Sequence, residues 1–207
     1  MKTFPAIAAA AAALLTSVLA APQALAQSAA SNPLTVKAGT YQVEPYHTQV
    51  GFSVLHFGFS YYSGMFSNVS GTLQLDPAHP AKSKLDVTIP VDSVQTTSTV
   101  LDGELKGAQW FDAAKYPTAT FVSTEVTRTG ANTARVEGKL TIRGVTEPET
   151  LSVKVIGAGV NPLDKAYTVG FEAVGTIKRS AFGVSPYIPA VSDAVRLRIA
   201  GAFELHN

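Results

Sequence analysis

The sequence predicts an all-β fold in which about eight strands close into one antiparallel β-barrel, with one short helical segment. Three observations support this prediction: apolar and polar residues alternate along most of the chain, turn signals separate the alternating runs, and glycines recur on the apolar faces. Strands with one apolar and one polar face are typical of antiparallel sheets with a solvated outer surface. Closure removes exposed strand edges and leaves room for one small ligand. A two-sheet sandwich is the alternative.

The first alternating run, residues 48–58, has one predominantly apolar face that ends in a histidine. This face consists of Val50, Phe52, Val54 and His56. Four more aromatic residues follow the histidine within ten positions, interrupted by Gly58 and Gly64: Phe59, Tyr61, Tyr62 and Phe66. A strand–turn–strand of this composition predicts the wall of a pocket for an apolar ligand.

Further alternating runs continue the pattern to the end of the chain. They cover residues 84–91, 134–143, 150–155, 167–177 and 195–205. Glycines fall on their predicted inward faces or on that of a neighbouring strand, at Gly71, Gly138, Gly175 and Gly201. Because glycine permits sharp strand bends and has no side chain, these positions favour a barrel with an internal cavity over a filled core.

One segment near residues 99–115 departs from the alternation. Thr99–Lys106 is predicted to be a short helix, with Ser98 or Thr99 as its N-cap and Gly107 just beyond its end. A second helical turn is predicted over residues 112–115. The barrel therefore carries one short helical segment between two of its strands.

The N-terminal segment has the features of a secretory signal peptide. Lys2 precedes an apolar run over residues 6–20, and Ala24-Leu25-Ala26 has the small-x-small pattern of a cleavage site. We therefore expect residues 1–26 to be a signal peptide that is cleaved after Ala26. An uncleaved membrane anchor is the alternative, but the apolar run is short for a span.

After cleavage, we expect a flexible lead-in, residues 27–39, and one folded domain, residues 40–207. The chain has 16 Lys and Arg against 15 Asp and Glu, and Lys2 is the only charged residue of the leader, so the mature chain is formally neutral. Near-neutrality argues against a nucleic-acid partner. Because the chain has no cysteine, disulfides, thiol nucleophiles, Cys-type metal sites and lipoprotein anchors are excluded.

The motifs of the common catalytic sites are missing from this sequence. It contains no G-x-S-x-G elbow, no H-E-x-x-H pair and no phosphate-binding glycine loop. Of the four histidines, only His47 and His56 are near one another, and a shared metal would require a bend between them. We therefore expect no enzymatic activity, no metal and no cofactor. The alternative is an enzyme acting on a lipid amphiphile through His56 or Arg179.

An ordered set of motifs spans residues 40–205. It consists of Tyr41-x-Val43, His47-x-x-Val50-x-Phe52-x-Val54-x-His56-x-Gly58, Gly64-x-Phe66, Pro90-Val91-Asp92-Ser93-Val94-x-Thr96, Lys106-Gly107-x-x-Trp110-Phe111-Asp112-x-x-Lys115-Tyr116-Pro117-x-x-Thr120-Phe121, Gly138-x-Leu140-Thr141-Ile142-Arg143-Gly144-Val145-Thr146, Lys178-Arg179-Ser180-x-Phe182-Gly183 and Val191-Ser192-Asp193-x-Val195. In this order the motifs resemble those of the YceI-like proteins.

The resemblance implies a lipocalin-like antiparallel barrel, located in the periplasm, that holds a long isoprenoid chain in an apolar tunnel. The implied ligand is a polyisoprenoid, of polyprenyl or isoprenoid-quinone type, and the implied role is that of a carrier or store, with a link to envelope stress. A fatty acid or amide is the alternative ligand. The chain departs from the family pattern at Ala181, where Asp is usual, and at residues 101–104. Both departures concern the headgroup more than the fold.

The expected binding residues form two groups. The tail is expected to pass Phe52, Val54, Phe59, Phe66, Trp110, Phe121 and Phe182. The headgroup or mouth contacts are expected at His56, Arg179 and Ser180. The partner is thus an amphiphilic lipid, without nucleic acid or stable membrane insertion. A homodimer through an outward patch of Leu55 and Phe57 is a further option, unless these two side chains lie under the short helix.

Overall fold

The computed structural model describes residues 36–206. The predicted signal peptide, and the predicted lead-in up to residue 35, lie outside the described residues. Val36 is buried and packs into an apolar cluster with Tyr41 and Leu73. The folded domain therefore begins no later than Val36, a few residues before the boundary expected at residue 40.

Within residues 36–206 the chain forms ten β-strands and one α-helix. The strands are β1 (Gly39–Val43), β2 (Gln49–His56), β3 (Ser60–Phe66), β4 (Ser70–Leu75), β5 (Lys84–Pro90), β6 (Thr118–Arg128), β7 (Thr133–Ile142), β8 (Val145–Val160), β9 (Tyr167–Lys178) and β10 (Val191–His206), and the helix is α1 (Thr99–Lys106). The alternating runs of the sequence thus become strands.

All ten strands belong to one antiparallel sheet that closes on itself. The strand order is β1-β4-β5-β6-β7-β8-β9-β10-β2-β3, and β1 also pairs with β10. β10 is long enough to pair with β1 near its end and with β2 along its first part. β4 pairs with β1, and β3 pairs with β2. Since β1 with β2, and β3 with β4, each act as one interrupted wall strand, the structure confirms the predicted barrel of about eight strands.

Not all of the inward glycines leave the space that the sequence suggested. A Cβ atom at Gly138 would collide with the ring of Phe121, and one at Gly175 would lie 2.8 Å from Cδ2 of Leu151. At Gly201, a Cβ atom would lie 3.0 Å from the ring of Phe203. Neighbouring side chains thus fill the positions at Gly138 and Gly175, where the expectation that the glycines keep the barrel open is wrong, whereas Gly201 lines the interior space.

The helical segment partly matches its prediction. α1 spans Thr99–Lys106, and its N-cap is Ser98, whose side chain accepts a hydrogen bond from the backbone N–H of Leu101. Leu105 is buried on the barrel side of the helix. Residues 112–115 do not form a second helical segment; they form hydrogen-bonded turns, in which the carbonyl of Asp112 accepts from the N–H groups of the residues at 115 and 116.

Candidate ligand-binding tunnel

The barrel encloses two apolar cavities, one of about 380 Å³ at the end that carries α1 and one of about 230 Å³ at the other end. We call them the upper and the lower cavity. Five aliphatic side chains, contributed by five different strands, line both cavities: Val50, Ile89, Leu140, Ile177 and Leu197. These side chains form a waist at which the two cavities adjoin, and we call the two cavities together the tunnel.

Aromatic side chains build much of the upper cavity. The ring centroids of Phe52 and Phe66 lie 5.6 Å apart, and that of Phe66 lies 5.4 Å from that of Phe111. Phe52 pairs with Gly64 across β2 and β3, and its ring occupies the place that a Cβ atom of Gly64 would need. The glycine therefore allows the Phe52 ring to lie over β3. Leu105, from α1, adds an aliphatic wall at this end.

Aliphatic residues and three phenylalanines line the lower cavity, and its polar residues are mostly at the opening. The phenylalanines are Phe121, Phe171 and Phe203. The opening lies beside the β4–β5 loop, which contributes Asp76, and beside the adjoining strand ends, which contribute Lys84 of β5 and Arg128 of β6. The Nη2 group of Arg128 donates a hydrogen bond of 2.6 Å to the carbonyl of Pro77, so the end of β6 is joined to the β4–β5 loop at this opening.

Most of the residues expected along the tail do line the tunnel. Phe52, Val54, Phe66, Trp110 and Phe182 line the upper cavity, and Phe121 lines the lower one. Whether they contact a ligand stays a prediction.

Phe59 is the exception: its side chain is 90% exposed, so its assignment to the tunnel wall is wrong. It follows the β2–β3 turn, where Phe57 and Gly58 have φ angles of 51° and 75°. The turn interrupts the inward–outward alternation of side chains along β2, so Phe59 does not point inward as Val54 and His56 do.

The same turn places Phe57 at the upper mouth. The sequence put Phe57 on the outer face beside Leu55, but its side chain lines the upper cavity, and its ring lies 4.5 Å from that of His56. Phe57 and Leu55 therefore do not form the outward patch suggested as a dimer contact. The dimer itself stays a prediction.

Arg179 lies in the wall of the upper cavity, but its hydrogen bonds go to the protein. Its side chain is 6% exposed and donates four hydrogen bonds of 2.9–3.0 Å to backbone carbonyls. The acceptors are Ser192, Val184, Pro186 and Val191. Since a guanidinium has five N–H groups, almost all of its donors are used. Burial lowers the pKa of Arg179. These four hydrogen bonds hold the loop between β9 and β10, and a headgroup contact by Arg179 stays a prediction.

Ser180 is turned away from both cavities. Its hydroxyl donates to Oδ2 of Asp193 at 2.7 Å, and its backbone N–H donates to Oδ1 at 2.8 Å. These two hydrogen bonds lower the pKa of Asp193. Ser180 is exposed and is not part of either lining, so its assignment to the ligand mouth is wrong.

His56 keeps the position that the sequence predicted for it. It ends β2 at the upper mouth, lines the upper cavity and lies 6.2 Å from the ring of Tyr62, centroid to centroid. The hydroxyl of Tyr62 is 3.0 Å from Oγ1 of Thr97. His56 therefore lies at the exposed rim of the upper cavity, and its contact with a headgroup stays a prediction.

His47 belongs to the β1–β2 turn, where its Nδ1 atom lies 2.6 Å from a carboxylate oxygen of Glu44. Within residues 36–206 no three or more histidines and carboxylates are close enough together to hold a metal ion.

Glu149 is a cavity residue that the sequence analysis missed. It lies on β8 opposite Gly138 of β7 and lines the lower cavity. Burial, and secondarily the nearby Glu147 carboxylate, raise the pKa of Glu149. Two positions further along β8 is Leu151, which also lines this cavity, so the period-two pattern of residues 149–155 was the signal that could have found it.

Residues 41–203 match the family described as the YceI-like domain. The chain belongs to the YceI-like family. Among curated relatives, protein YceI of Escherichia coli O6:H1 is 40% identical over 157 residues, which cover 76% of this chain and 81% of that protein.

Solved structures share the barrel. Burkholderia cenocepacia BcnA is 32% identical, with a TM-score of 0.70 over 77% of this chain and 98% of that one. A polyisoprenoid binding domain from Saccharophagus degradans is 15% identical, with a TM-score of 0.62 over 82% of this chain and 100% of that one. At this identity, the second likeness concerns the fold.

This YceI-like chain departs from the family pattern at two places, one outside the cavities and one in the wall of the upper cavity. Ala181 is exposed and lines neither cavity, so this change is remote from the tunnel. In α1, Leu101 and Glu104 line the upper cavity, whereas Asp102 accepts two hydrogen bonds of 2.7 Å from Thr96. The residues of α1 therefore change the upper cavity directly. In the described part of the chain, no helix is long and apolar enough to cross a membrane.

Proposed function

We propose that this YceI-like protein binds a long-chain polyisoprenoid, of polyprenyl or isoprenoid-quinone type, in the barrel tunnel as a carrier or store. The observation that carries the proposal is the waist, whose five side chains line both apolar cavities, of about 380 and 230 Å³. A chain that crosses the waist contacts aliphatic side chains from five strands at once. Such a tunnel suits a long, narrow and apolar ligand better than a compact one.

Burial of the chain supplies enough free energy for this role without strong headgroup contacts. Each buried methylene contributes about 0.8 kcal/mol, so a five-carbon isoprene unit contributes roughly 3–4 kcal/mol before ordering costs. A few units therefore reach useful affinity. This agrees with a mouth where Arg179 and Ser180 are engaged by the protein itself and His56 is left for the polar end.

The location and the physiological role belong to the same proposal. The leader over residues 1–26 supports export to the periplasm after cleavage at Ala26, and the family resemblance supports a role in envelope stress. The tunnel lining supports a binding protein rather than an enzyme, because the His56 side chain has no hydrogen-bond or ion-pair partner among the described residues, and its ring packs against those of Phe57 and Tyr62. The fold shared with the Saccharophagus polyisoprenoid binding domain is compatible with this ligand class.

A fatty acid or fatty amide is the second candidate, because the same aliphatic waist accommodates any unbranched chain. Native mass spectrometry of the mature protein, purified from a periplasmic extract without detergent, distinguishes the candidates. We expect an added mass that resolves, on extraction, into a polyprenyl or quinone species. A fatty acid or amide in its place would retain the tunnel and change the ligand, and a bare protein that also refuses added isoprenoids would refute the binding function.

A matched pair of variants tests the waist itself. Ile177→Trp places a large ring in the waist, whereas Val174→Trp places the same ring on the outer face of β9, where Val174 is 46% exposed. We expect Ile177→Trp to lose the bound lipid and Val174→Trp to keep it. Equal lipid retention by the two variants would show that the chain does not cross the waist.

A further inference from the structure

Glu149 places a carboxyl group in the lower cavity, close to the waist. In the register of β7 and β8, Glu149 lies beside Gly138, and the next inward residue of β7 toward the upper end is Leu140. Leu140 belongs to the waist, so Glu149 lies one pleat below it. A chain that crosses the waist into the lower cavity therefore passes this carboxyl group.

Within residues 36–206, the Glu149 side chain has no hydrogen-bond or ion-pair partner. The β8–β9 ladder begins only at Ser152, so β9 does not pair with β8 at Glu149. The other charged residues of the lower cavity lie at its opening: Asp76 in the β4–β5 loop, Lys84 at the start of β5 and Arg128 at the end of β6. Burial raises the pKa of Glu149, which agrees with a carboxyl group that no cation neutralises.

The upper cavity has the opposite charge in its wall. Arg179 lines it and is buried, with its guanidinium carbon 5.8 Å from the Trp110 ring. Its hydrogen bonds go to neutral carbonyls, and the carboxylate of Asp193, which lines neither cavity, offsets part of its positive charge. Glu104 also lines this cavity, but it is exposed on α1 and screened by solvent. The charged side chain buried in the wall of the upper cavity is therefore a cation, whereas the one just below the waist is a carboxyl group.

We propose that Glu149 determines the direction in which an acidic amphiphile enters the tunnel, with the anionic group at the His56 end and the tail in the lower cavity. This inference rests on the proposed function, because it requires a chain that occupies the tunnel. It also defines the ligand class further: a single chain with its anionic group, a phosphate or a carboxylate, at one end only. Like charges in a poorly solvated cavity repel strongly, and we expect roughly a tenfold preference for this direction.

Trp110 is the only tryptophan of the chain and lines the upper cavity, so its fluorescence reports which part of a ligand lies there. The probes are stearic acids that carry a nitroxide (doxyl) quencher either near the carboxylate, at carbon 5, or near the tail end, at carbon 16. With the carboxylate at the upper end, the label at carbon 5 quenches Trp110 more strongly. We expect this difference in the delipidated parent protein at neutral pH.

The decisive comparison is Glu149→Gln against Glu147→Gln. Both variants remove one carboxylate from the same strand, but Glu147 lines neither cavity. We expect Glu149→Gln to reduce the difference between the two labels about tenfold toward equality, and Glu147→Gln to retain it. Glu149→Lys is a second variant, for which we expect the label at carbon 16 to become the stronger quencher.

Each outcome has a distinct meaning. Equal quenching by the two labels in the parent protein, or an undiminished difference in both Glu149 variants, would overturn the proposed direction while leaving chain binding intact. Absence of quenching by either label, in the parent and in every variant, would overturn this inference, whereas the proposed function is refuted only by the native mass spectrometry of the co-purified lipid described above.

Discussion

Replacement of Arg179 by methionine tests whether this side chain is structural rather than ligand-binding. Methionine keeps much of the apolar volume but removes four hydrogen bonds to the carbonyls of the loop between β9 and β10. Removal of a buried, charged donor leaves those carbonyls unpaired, although relief of the buried charge offsets part of the loss. We expect the free energy of unfolding to fall by about 3–5 kcal/mol.

Urea denaturation of the delipidated protein measures this loss, because a bound ligand would itself add stability. With a slope typical of a domain this size, the midpoint falls by about 2 M. Arg198→Met is the matched control: Arg198 has an 81% exposed side chain and forms a surface ion pair with Glu172. We expect this control to lose less than about 1 kcal/mol.

The result that would refute this reasoning is a stability of Arg179→Met equal to that of Arg198→Met. If Arg179→Met also bound the doxyl-labelled stearic acids more weakly while remaining as stable as the control, the side chain would be a headgroup ligand after all. If Arg179→Met is less stable than the control but, while still folded, binds the doxyl-labelled stearic acids as tightly as the parent, the result would support the role of Arg179 in holding the loop.

Three further predictions follow from single side chains. Phe59→Ser leaves the amount of co-purified lipid, measured by native mass spectrometry, unchanged, because the side chain is 90% exposed; reduced lipid would return Phe59 to the binding surface. Ser98→Ala lowers the free energy of unfolding by about 1 kcal/mol because α1 loses its N-cap, and an unchanged urea midpoint would contradict this. Burial raises the pKa of Glu149 in the folded state, so the ionised carboxylate destabilises the fold. This destabilisation grows as the pH rises from the ordinary pKa of a glutamate to the raised pKa, and it is absent at lower pH. Glu149→Gln is therefore more stable than the parent at neutral pH, by less than about 1 kcal/mol after allowance for solvent, and this advantage disappears at low pH in thermal melts; a constant difference would contradict the shift.

The walls of the barrel were accessible to sequence analysis because the alternation of a strand is a local property. Val50, Phe52, Val54 and His56 were placed on one face of β2, and all four line the tunnel. The prediction failed where the chain turns: the positive φ angles after His56 separate Phe57 and Phe59 from the parity of β2. The conformation of a turn depends on a few residues. The alternation of apolar and polar residues does not show to which side of the sheet the side chains point after such a turn.

Polar site residues were harder to predict because their role depends on their partners. Arg179 and Ser180 were plausible headgroup ligands by composition and motif, but the acceptors of Arg179 lie 5–13 positions away and Asp193 lies 13 positions from Ser180. Glu149 was overlooked because one glutamate on an inward face differs little, in sequence, from one on a solvated face. Burial and neighbours separate these cases.

An antiparallel barrel with an aromatic inner wall and one short helix could be predicted from the amino-acid pattern, because alternation, turn signals and capping residues act over a few positions. The folded chain was needed to show that neighbouring side chains fill the positions at Gly138 and Gly175 and that five strands contribute to one waist. It alone also placed Arg179 and Glu149 on opposite sides of that waist. The physical reason is that strand register and barrel closure bring together residues more than a hundred positions apart, and their charges and packing act on one another only after that closure.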